Sequence, residues 1–542
     1  MPFVGDIFSK LKEAGNTTVL EEIREGHVTG VTGVELLELI RKARTFLASR
    51  SLQKGDRCGL FASNSVLWMA MDLAAMAEGL IVVPLYFRQA PAELVAMMKD
   101  STPALVCCGD PSLRDGILQN WPAAPPHFLF DEIFAGVDGI ALDRPQVRDS
   151  DPVTIIYTSG TSGEAKGVVL TAANVGFMLG CTATRLDVLM GGRSGRDRIF
   201  HYLPFSFCAS WIALLTFLTR GSLVTLNTDL AKIPSDMPAV APHYFLNVPQ
   251  LLERMRRGVD EQIAQKGGIA ELIYSRAKAA SARRQKNFWL WLANRLVFPT
   301  IRKKMVGENL KALICGSAPL TLETQDYFQM LGIPVLQVYG LTETTGICTM
   351  DDPNHPVPGR VGPSIPGIEM RIAEDEEIVV RGSNVFPGYW NRPQQTAEVL
   401  RDGWFHTGDQ GEMDASGNWR IVGRLKNLIV LGSGHKIAPE TIEHEIARLL
   451  PSAQQVVVVG NGRGYLSAIV TGSVSANHVQ EALDAVNVLN PHYKQVRTFC
   501  LRTEPFSIEN GMLTANGKLK RDLIAARMKA EIEGMYAVKQ AV

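Results

Sequence analysis

The sequence predicts a two-domain α/β protein, with a large domain of helix-covered parallel sheets over residues 1–425 and a small α+β domain over residues 426–542. Three observations lead to this prediction. A chain of 542 residues is too long for a single hydrophobic core. From about residue 30 to residue 410, segments with a helical period alternate with short apolar strands, which is typical of parallel sheets. After Arg424 the pattern changes to that of a separate, smaller unit.

The helices and strands of the large domain can be assigned in chain order. The segment GVELLELIRKARTFLAS at 33–49 has the apolar period of a helix. The longest apolar stretch, residues 66–87, is interrupted by Asp72 and Glu78 and then becomes β-branched. This pattern predicts a buried helix followed by a strand and excludes a membrane span. The segments ALVCCGD and SLVTLN are further strands, and residues 378–423 are rich in turns, as expected near the end of a large domain.

The small domain begins near Lys426 and continues with a strand, NLIVLG, and an amphipathic helix, PETIEHEIARLL. Two apolar strands follow, QQVVVVG and YLSAIVTG, and helices are expected from there to the C-terminus. This order of elements predicts a compact α+β unit.

Composition narrows the function classes. The 55 Lys and Arg residues balance the 55 Asp and Glu residues, which argues against a nucleic-acid binder and requires any polyanion site to be built locally. The eight cysteines show no CxxC spacing, and the N-terminus lacks the basic start and apolar run of a signal peptide. We therefore expect a reducing, cytoplasmic location, without a structural metal.

The most informative segment for chemistry is TIIYTSGTSGEAKGVV at 154–169. Small residues let backbone N–H groups approach an anion, hydroxyls add donors, and a lysine adds positive charge. Ala165 and Gly167 depart from the Walker A pattern, and the following GVVL reads as a strand instead of a helix. The sequence predicts a phosphate-binding loop of another fold, formed by Thr158, Ser159, Gly160, Thr161, Ser162, Gly163 and Lys166.

The segment YTSGTSGEAKG resembles the phosphate loop of the adenylate-forming superfamily of acyl-CoA synthetases, nonribosomal adenylation domains and luciferases. Four further motifs stand in that family's order: VYGLTETTG at 338–346, GWFHTGD at 403–409, GRLKNLIVLGSGHKIAPE at 423–440 and LTANGKLKR at 513–521. The resemblance covers nearly the whole chain. It implies a large N-terminal domain that includes a small β-barrel-like part, a small mobile C-terminal lid, and the substrates and cofactors ATP, Mg²⁺ and coenzyme A.

The resemblance also assigns roles to individual residues. Tyr339 is placed against adenine, Thr342 on a phosphate oxygen, and Glu343 on magnesium, a cation that prefers carboxylate ligands. Thr161 is a second magnesium contact. Lys518 would bridge the substrate carboxylate and the α-phosphate, where an ammonium neutralises developing charge. The remaining nucleotide and coenzyme A contacts would be Gly316, Ser317, Ala318, Gly340, Asp409, Arg424, Ser433, Gly434 and His435.

Two positions depart from the pattern of many relatives. Lys426 occupies the hinge of the domain rotation, where many relatives carry aspartate. Phe207 stands where many relatives carry a histidine between the acyl and thiol tunnels, and we interpret it as an apolar gate. Beside Lys518, Lys520 and Arg521 are expected to be ordinary surface residues. Cys208 and Cys315 are interpreted as packing residues.

Residues 273–305 resemble a helical insertion of the long-chain fatty acyl-CoA synthetases, which favours a long acyl chain in an apolar tunnel. Its basic residues Arg276, Lys278, Arg283, Arg284 and Lys286 precede Phe288, Trp289 and Trp291. Two interpretations stay open: a helix on an anionic membrane surface, at the inner membrane face, or an ordinary solvated helix with a buried aromatic face.

The function implied is an ATP-dependent fatty acid–CoA ligase, which forms acyl-AMP and pyrophosphate and then acyl-CoA and AMP. Two alternatives remain: a fatty acyl-AMP ligase that loads a carrier protein, and a non-catalytic sensor of nucleotide or fatty acid. A homodimer is neither indicated nor excluded by the sequence.

Overall fold

The computed structural model describes residues 2–135, 146–159, 165–192, 196–285, 287–514 and 517–537. Within these residues the larger sheets have eight, seven, five and three strands. Parallel pairing dominates the centres of the eight- and seven-stranded sheets. Antiparallel strands close both edges of the eight-stranded sheet and one edge of the seven-stranded sheet, whose other edge strand, His127–Leu129, pairs in parallel. The predicted class, α/β with a smaller second unit that contains its own sheet, is confirmed.

The eight-stranded sheet carries at one end the strands that matter for the site. In order across the sheet, its strands are Gly346–Met350, Val335–Leu341, Ala312–Cys315, Tyr244–Asn247, Arg198–His201, Leu223–Asn227, Thr18–Arg24 and His27–Thr32. The strand predicted from SLVTLN is therefore an interior member.

The seven-stranded sheet contains the hairpin that carries the predicted phosphate loop. Its strands are, in order, Gly388–Tyr389, Ala165–Thr171, Pro152–Ser159, Ile81–Leu85, Arg57–Phe61, Leu105–Cys108 and His127–Leu129. Every residue of Ile81–Leu85 and Leu105–Cys108 is buried, as continuous apolar strands are when helices cover both faces of a sheet.

The turn-rich segment forms an antiparallel sheet of five strands: Ile368–Ile372, Glu377–Gly382, Leu400–Arg401, Trp404–Met413 and Trp419–Arg424. After it come the short strands Ile429–Val430 and Lys436–Ile437, and then the three-stranded sheet of Ala453–Val459, Leu466–Gly472 and Val496–Arg502. Two apolar clusters, one around Ile446 and one around Ile524, consist only of residues that follow Lys426.

Helices cover the sheets, and several begin at side chains that cap them. Thr32 accepts a hydrogen bond from the Glu35 amide while Glu35 accepts one from the Thr32 amide, a capping box that fixes a helix start. The helices of the large part are Pro2–Ala14, Gly33–Ala48, Val66–Ala77, Pro91–Ser101, Pro111–Asn120, Phe130–Phe134, Ala172–Leu189, Cys208–Thr219, Ile233–Val240, Pro249–Lys266, Gly268–Ala282, Phe288–Leu296, Phe298–Val306, Leu322–Met330 and Pro393–Val399. Those that follow Lys426 are Pro439–Leu449, Ala476–Leu489, Arg521–Arg527 and Lys529–Ala537. In the described part of the chain, no helix combines the length and apolarity needed to cross a bilayer.

One element prediction was wrong, and two elements are less regular than predicted. The C-terminal stretch is not only helical, because Val496–Arg502 is a strand that pairs in parallel with Leu466–Gly472. The connection between them, helix Ala476–Leu489, is the crossover that parallel pairing requires. NLIVLG forms only the two-residue strand Ile429–Val430, and the insertion at 273–305 is divided among three helices.

Candidate functional site

Two neighbouring parallel strands bring the first predicted contacts to one edge of the eight-stranded sheet. Strand Ala312–Cys315 pairs in parallel with Val335–Leu341, so both strands end at the same side. The loop Gly316–Ser317–Ala318 follows the first strand, and Tyr339 lies on the second. A Cβ on Gly316 would lie 2.6 Å from a methyl of Val338, so this close approach requires glycine.

The turn after Tyr339 has a fixed shape. A Cβ on Gly340 would lie 1.8 Å from the carbonyl oxygen of Gly346, which leaves no room for any other residue. The Leu341 amide donates to the Thr344 hydroxyl at 2.9 Å, and the short helical turn Thr342–Thr344 follows. This turn presents Thr342 and Glu343 beyond the sheet edge.

Tyr389 connects Glu343 with Lys166. Its hydroxyl donates to Glu343 Oε1 at 2.9 Å, and the Lys166 ammonium lies 5.0 Å from the centre of its ring. Burial, followed by the charge of Glu343, raises the pKa of Tyr389, so its phenol stays a donor. The short strand Gly388–Tyr389 pairs with Ala165–Thr171, so Tyr389 lies beside the strand that carries Lys166. Tyr389 was not predicted from the sequence, in which its only signal is the turn-rich segment FPGYWNRP.

The predicted phosphate loop joins two antiparallel strands. Thr158 pairs with Lys166 across this hairpin, and Ser159 pairs with Ala165, so the prediction of a strand after the loop is confirmed. The loop residues Gly160, Thr161, Ser162 and Gly163 lie outside the described residues, as does the side chain of Ser159.

Asp409 lies between Tyr339 and Arg424. Its Oδ2 accepts from the Tyr339 hydroxyl at 2.8 Å, and its Oδ1 lies 2.7 Å from Arg424 Nε. Asp409 and Arg424 face each other across antiparallel strands, and Asp409 is buried. Burial holds the pKa of Tyr339 well above its usual value, and the charge of Asp409 adds to the effect. Three residues that the family resemblance assigns to substrate and cofactor contacts, Tyr339, Asp409 and Arg424, are thus in contact with one another.

Glu377 fixes the part of strand Trp404–Met413 that precedes Asp409, and it was not predicted from the sequence. Its Oε1 accepts from the Gly408 amide at 2.9 Å, and its Oε2 lies 2.7 Å from His406 Nδ1. Gly408 has a φ of 69°, in the left-handed region that favours glycine. The HTGD segment is therefore an irregularity in the register of strand Trp404–Met413, held by the buried carboxylate of Glu377.

Lys518 is carried by a tight hairpin. The Thr514 amide donates to the Lys518 carbonyl at 2.8 Å, and Leu513 bridges to Leu519. Lys518 is exposed, and partial desolvation of its ammonium, followed by the charge of Arg424, lowers its pKa. The carboxylates of Asp409 and Glu343 oppose the shift, which places all four charges in one neighbourhood.

Lys426, the expected hinge residue, faces the same charges. Desolvation lowers the pKa of its ammonium, and Arg424 and Lys166 lower it further, while Glu343 and Asp409 act in the opposite direction. Four cations therefore gather around two carboxylates.

Arg521 was expected at the surface, and this was wrong. It makes two hydrogen bonds to Glu443, at 2.7 and 2.5 Å, and the two side chains are 18% and 11% exposed. Lys520 was also expected to be a free surface residue, but its ammonium lies 2.8 Å from Glu93 Oε1 of the large part. Both neighbours of the Lys518 hairpin are therefore anchored.

The loop Ser433–Gly434–His435 is exposed. His435 stacks on Tyr493, with ring centroids 4.2 Å apart, and Ser433 contacts His435. Among the described residues, no hydrogen bond or ring contact joins this loop to Glu343, Asp409 or Lys518. Within the described residues, this arrangement does not bring the loop to the other predicted contacts.

Phe207 lies at the start of helix Cys208–Thr219, with its ring 5.3 Å from that of Tyr86. An aromatic pair therefore stands at the predicted gate position. Cys208 and Cys315 are buried, and burial raises the pKa of both thiols, as expected of packing residues.

Comparisons with known proteins agree with this geometry. The chain matches the profile of the family described as AMP-binding enzyme over residues 9–390, and that of the AMP-binding enzyme C-terminal domain over residues 426–540. It is 28% identical to a long-chain-fatty-acid–CoA ligase, FadD15, of Mycobacterium bovis, over 98% of this chain and 96% of that protein. It is 30% identical to a putative fatty-acid–CoA ligase, fadD11, of Mycobacterium tuberculosis, over 78% of this chain and 80% of that protein.

Among solved structures, o-succinylbenzoate CoA synthetase (MenE) of Bacillus subtilis, in complex with its acyl-adenylate intermediate, superposes with a TM-score of 0.76 at 21% identity, over 96% of this chain and 97% of that one. ATP-bound MatB of Rhodopseudomonas palustris gives a TM-score of 0.73 at 24% identity, over 97% and 99%. These two likenesses concern the fold.

Proposed function

This chain belongs to the AMP-binding enzyme family, and we propose that it joins fatty acids to coenzyme A with ATP. The observation that carries the proposal is the gathering of Lys166, Glu343, Asp409, Arg424 and Lys518 around one site, to which three sheets and a hairpin of the C-terminal part contribute. A non-catalytic binding protein has no need to bring a lysine from a separate hairpin to a nucleotide site. The acyl chain is proposed to be long, in keeping with the names of the relatives.

The first half-reaction needs two anions to meet. A carboxylate oxygen of the fatty acid attacks the α-phosphorus of ATP, the bond to the bridging oxygen breaks, and pyrophosphate leaves with acyl-AMP remaining. Cations placed where this charge develops lower the barrier. We assign this role to Lys518, with Lys166 and Thr342 on the phosphates and Asp409 and Arg424 on the ribose.

Magnesium bound to the ATP phosphates would neutralise their charge. Glu343 suits it as a ligand because hard cations prefer carboxylate oxygens, and its Oε1 is already oriented by Tyr389 at 2.9 Å. The donor set of this turn therefore fits the metal.

In the second half-reaction the thiol of coenzyme A attacks the acyl carbonyl, and AMP leaves. We propose that residues 426–542 form a lid domain that turns about Lys426, withdraws Lys518, and presents the Ser433–Gly434–His435 loop to the pantetheine arm. The exposure of this loop and the clusters formed only by residues after Lys426 support a body that moves as a unit.

The test is parallel measurement of pyrophosphate and AMP from the purified protein with ATP, magnesium and palmitate, with and without coenzyme A. A strong rise of both products only with coenzyme A is expected. Pyrophosphate without a response to coenzyme A would instead indicate a ligase that loads a carrier protein. If fatty acids of every chain length gave neither pyrophosphate nor AMP, the sensor alternative would stand, because Lys518→Ala would then have no turnover to abolish.

We further propose that helix Phe288–Leu296 attaches the protein peripherally to an anionic membrane. Phe288, Trp291 and Leu296 are 62%, 59% and 60% exposed, and Arg283, Arg284 and Arg295 are exposed beside them. Of the two interpretations left open above, this exposure favours the membrane surface, because a buried aromatic face would hide these rings. The basic residue Lys286 lies outside the described residues.

Flotation with vesicles of phosphatidylcholine and phosphatidylserine at low salt tests this attachment. Wild-type protein is expected to float, and Trp291→Ser to float much less. Val488→Ser serves as the control, since Val488 is 84% exposed on a helix of the C-terminal part. Wild-type protein that remained at the bottom would remove the proposal.

A further inference from the structure

An ion pair connects the Lys518 hairpin to the large part of the protein. Lys520 Nζ lies 2.8 Å from Glu93 Oε1, although the two residues are 427 positions apart. Glu93 stands in the first turn of helix Pro91–Ser101, where the helix dipole favours a negative charge. Its second oxygen accepts from Gln89 Nε2 at 2.8 Å, so the carboxylate is held in place before Lys520 arrives.

Arg521, the residue after Lys520, attaches the hairpin to the C-terminal part. Arg521 binds Glu443 of helix Pro439–Leu449 through both carboxylate oxygens, and it also lies 3.7 Å from Glu440. The hairpin is therefore rigidly part of the lid, and the Lys520 contact crosses to the large part. Because Lys518 and Lys520 are only two residues apart, any motion that withdraws Lys518 also separates Lys520 from Glu93.

We propose that the Glu93–Lys520 pair is a latch that holds the protein in the arrangement for acyl-AMP formation. The inference rests on the function proposed above. An interaction present in one of two conformations shifts the population toward that conformation by its own strength. The latch therefore promotes the first half-reaction and retards the turn toward the second, and Glu93 and Lys520 act as positioning residues without touching substrate.

The expected effect of the latch on the two half-reactions follows from how far water reaches the two side chains. The Lys520 and Glu93 side chains are 22% and 41% exposed, and ion pairs that water reaches typically change an equilibrium by about two- to fivefold. Salt screens such pairs, so the effect should shrink as ionic strength rises.

The experiment measures the two half-reactions separately in the full-length protein. Pyrophosphate release in a single turnover without coenzyme A reports the first, and cleavage of supplied palmitoyl-AMP by coenzyme A reports the second. Glu93→Gln is expected to slow the first about two- to fivefold and to leave the second unchanged or faster. The double exchange Glu93→Lys with Lys520→Glu should restore the wild-type ratio.

The control is Glu13→Gln, which breaks the Lys10–Glu13 pair of 2.7 Å within the N-terminal helix and should change neither rate. Equal slowing of both half-reactions by Glu93→Gln, or an unchanged ratio, would overturn the latch. So would a charge exchange that failed to restore the ratio while the protein stayed folded by circular dichroism. A wild-type protein inactive in both assays would instead refute the proposed function.

Discussion

Arg521→Met tests whether a buried ion pair supports the C-terminal part. Arg521 is the partner of Glu443, whose side chain is 11% exposed. In the variant, Glu443 keeps one donor, the Val458 amide at 2.7 Å from Oε1, and loses both bonds from the guanidinium. A buried carboxylate with its cation removed is costly, whereas replacing both members of such a pair is often nearly neutral.

Removing one partner of a buried pair typically costs about 3–5 kcal/mol. The remaining amide donor and the option of protonation place the expected loss near the lower end, about 3 kcal/mol at pH 7. Burial already raises the pKa of Glu443 above its usual value, in spite of Arg521. Without Arg521 its pKa rises further, so the folded variant binds a proton that the unfolded chain releases, and the loss of stability should become smaller as pH falls toward 5.

The reporter for this unfolding has to be local. All eight tryptophans precede Lys426, so their fluorescence does not follow the C-terminal part. Amide exchange in strand Ala453–Val459, which contains the Val458 donor, does so directly. Adding Glu443→Gln to Arg521→Met should recover at least about 1 kcal/mol, because the unpaired charge is gone. A double variant less stable than Arg521→Met would refute the reasoning.

Two further predictions follow from single contacts. Tyr389→Phe removes the bond to Glu343, and because a hydrogen bond to a charged group contributes about 1.5–3 kcal/mol, the magnesium concentration for half-maximal pyrophosphate release should rise about tenfold or more, whereas Tyr493→Phe should leave it unchanged. Asp72→Asn should stabilise the protein at pH 8 but not at pH 4, because burial raises the pKa of Asp72 from 3.8 to about 7. In the unfolded chain Asp72 ionises at a lower pH than in the folded protein. The free energy of unfolding of the wild type therefore falls as the pH rises between the two pKa values, by up to about 4 kcal/mol at about 1.4 kcal/mol per pKa unit. Asparagine retains the acceptor for Trp211, whose indole lies 2.8 Å from Asp72, and urea unfolding at the two pH values provides the check.

Short sequence patterns were sufficient to predict elements of the fold wherever physical chemistry restricts which residues neighbouring positions can hold. The helix from 33 and the helix–strand pair at 66–87 follow from periodicity and charge interruptions, and the structure contains both. The strand after the phosphate loop was predicted from the apolar run GVVL, and the structure contains it, whereas the YGLTET motif was identified only through the family resemblance. At Gly340 the structure gives the physical reason for the glycine, since a Cβ would overlap Gly346.

Contacts between residues that are far apart in the sequence were not predicted. Tyr389 reaches Glu343 over 46 positions, and Glu443 reaches Arg521 over 78, so no spacing rule joins them. Arg521 looked like one more charge in a basic stretch, and only a buried carboxylate from another helix distinguishes it. Strand Val496–Arg502 escaped because its charged residues interrupt the apolar run, while its pairing depends on a strand before the intervening helix.

The balance of charges explains why a neutral protein can hold a polyanion. The chain has no formal net charge, yet in the described part of the chain Lys166, Arg424, Lys426 and Lys518 gather around Glu343 and Asp409. Desolvation first and neighbouring cations second lower the pKa values of Lys426 and Lys518, so part of each shift is repulsion among these cations. A bound triphosphate removes that repulsion. Since Lys518 belongs to the C-terminal part, we expect nucleotide binding and docking of its hairpin to favour each other, and departure of pyrophosphate to weaken the docking just when the second half-reaction requires it.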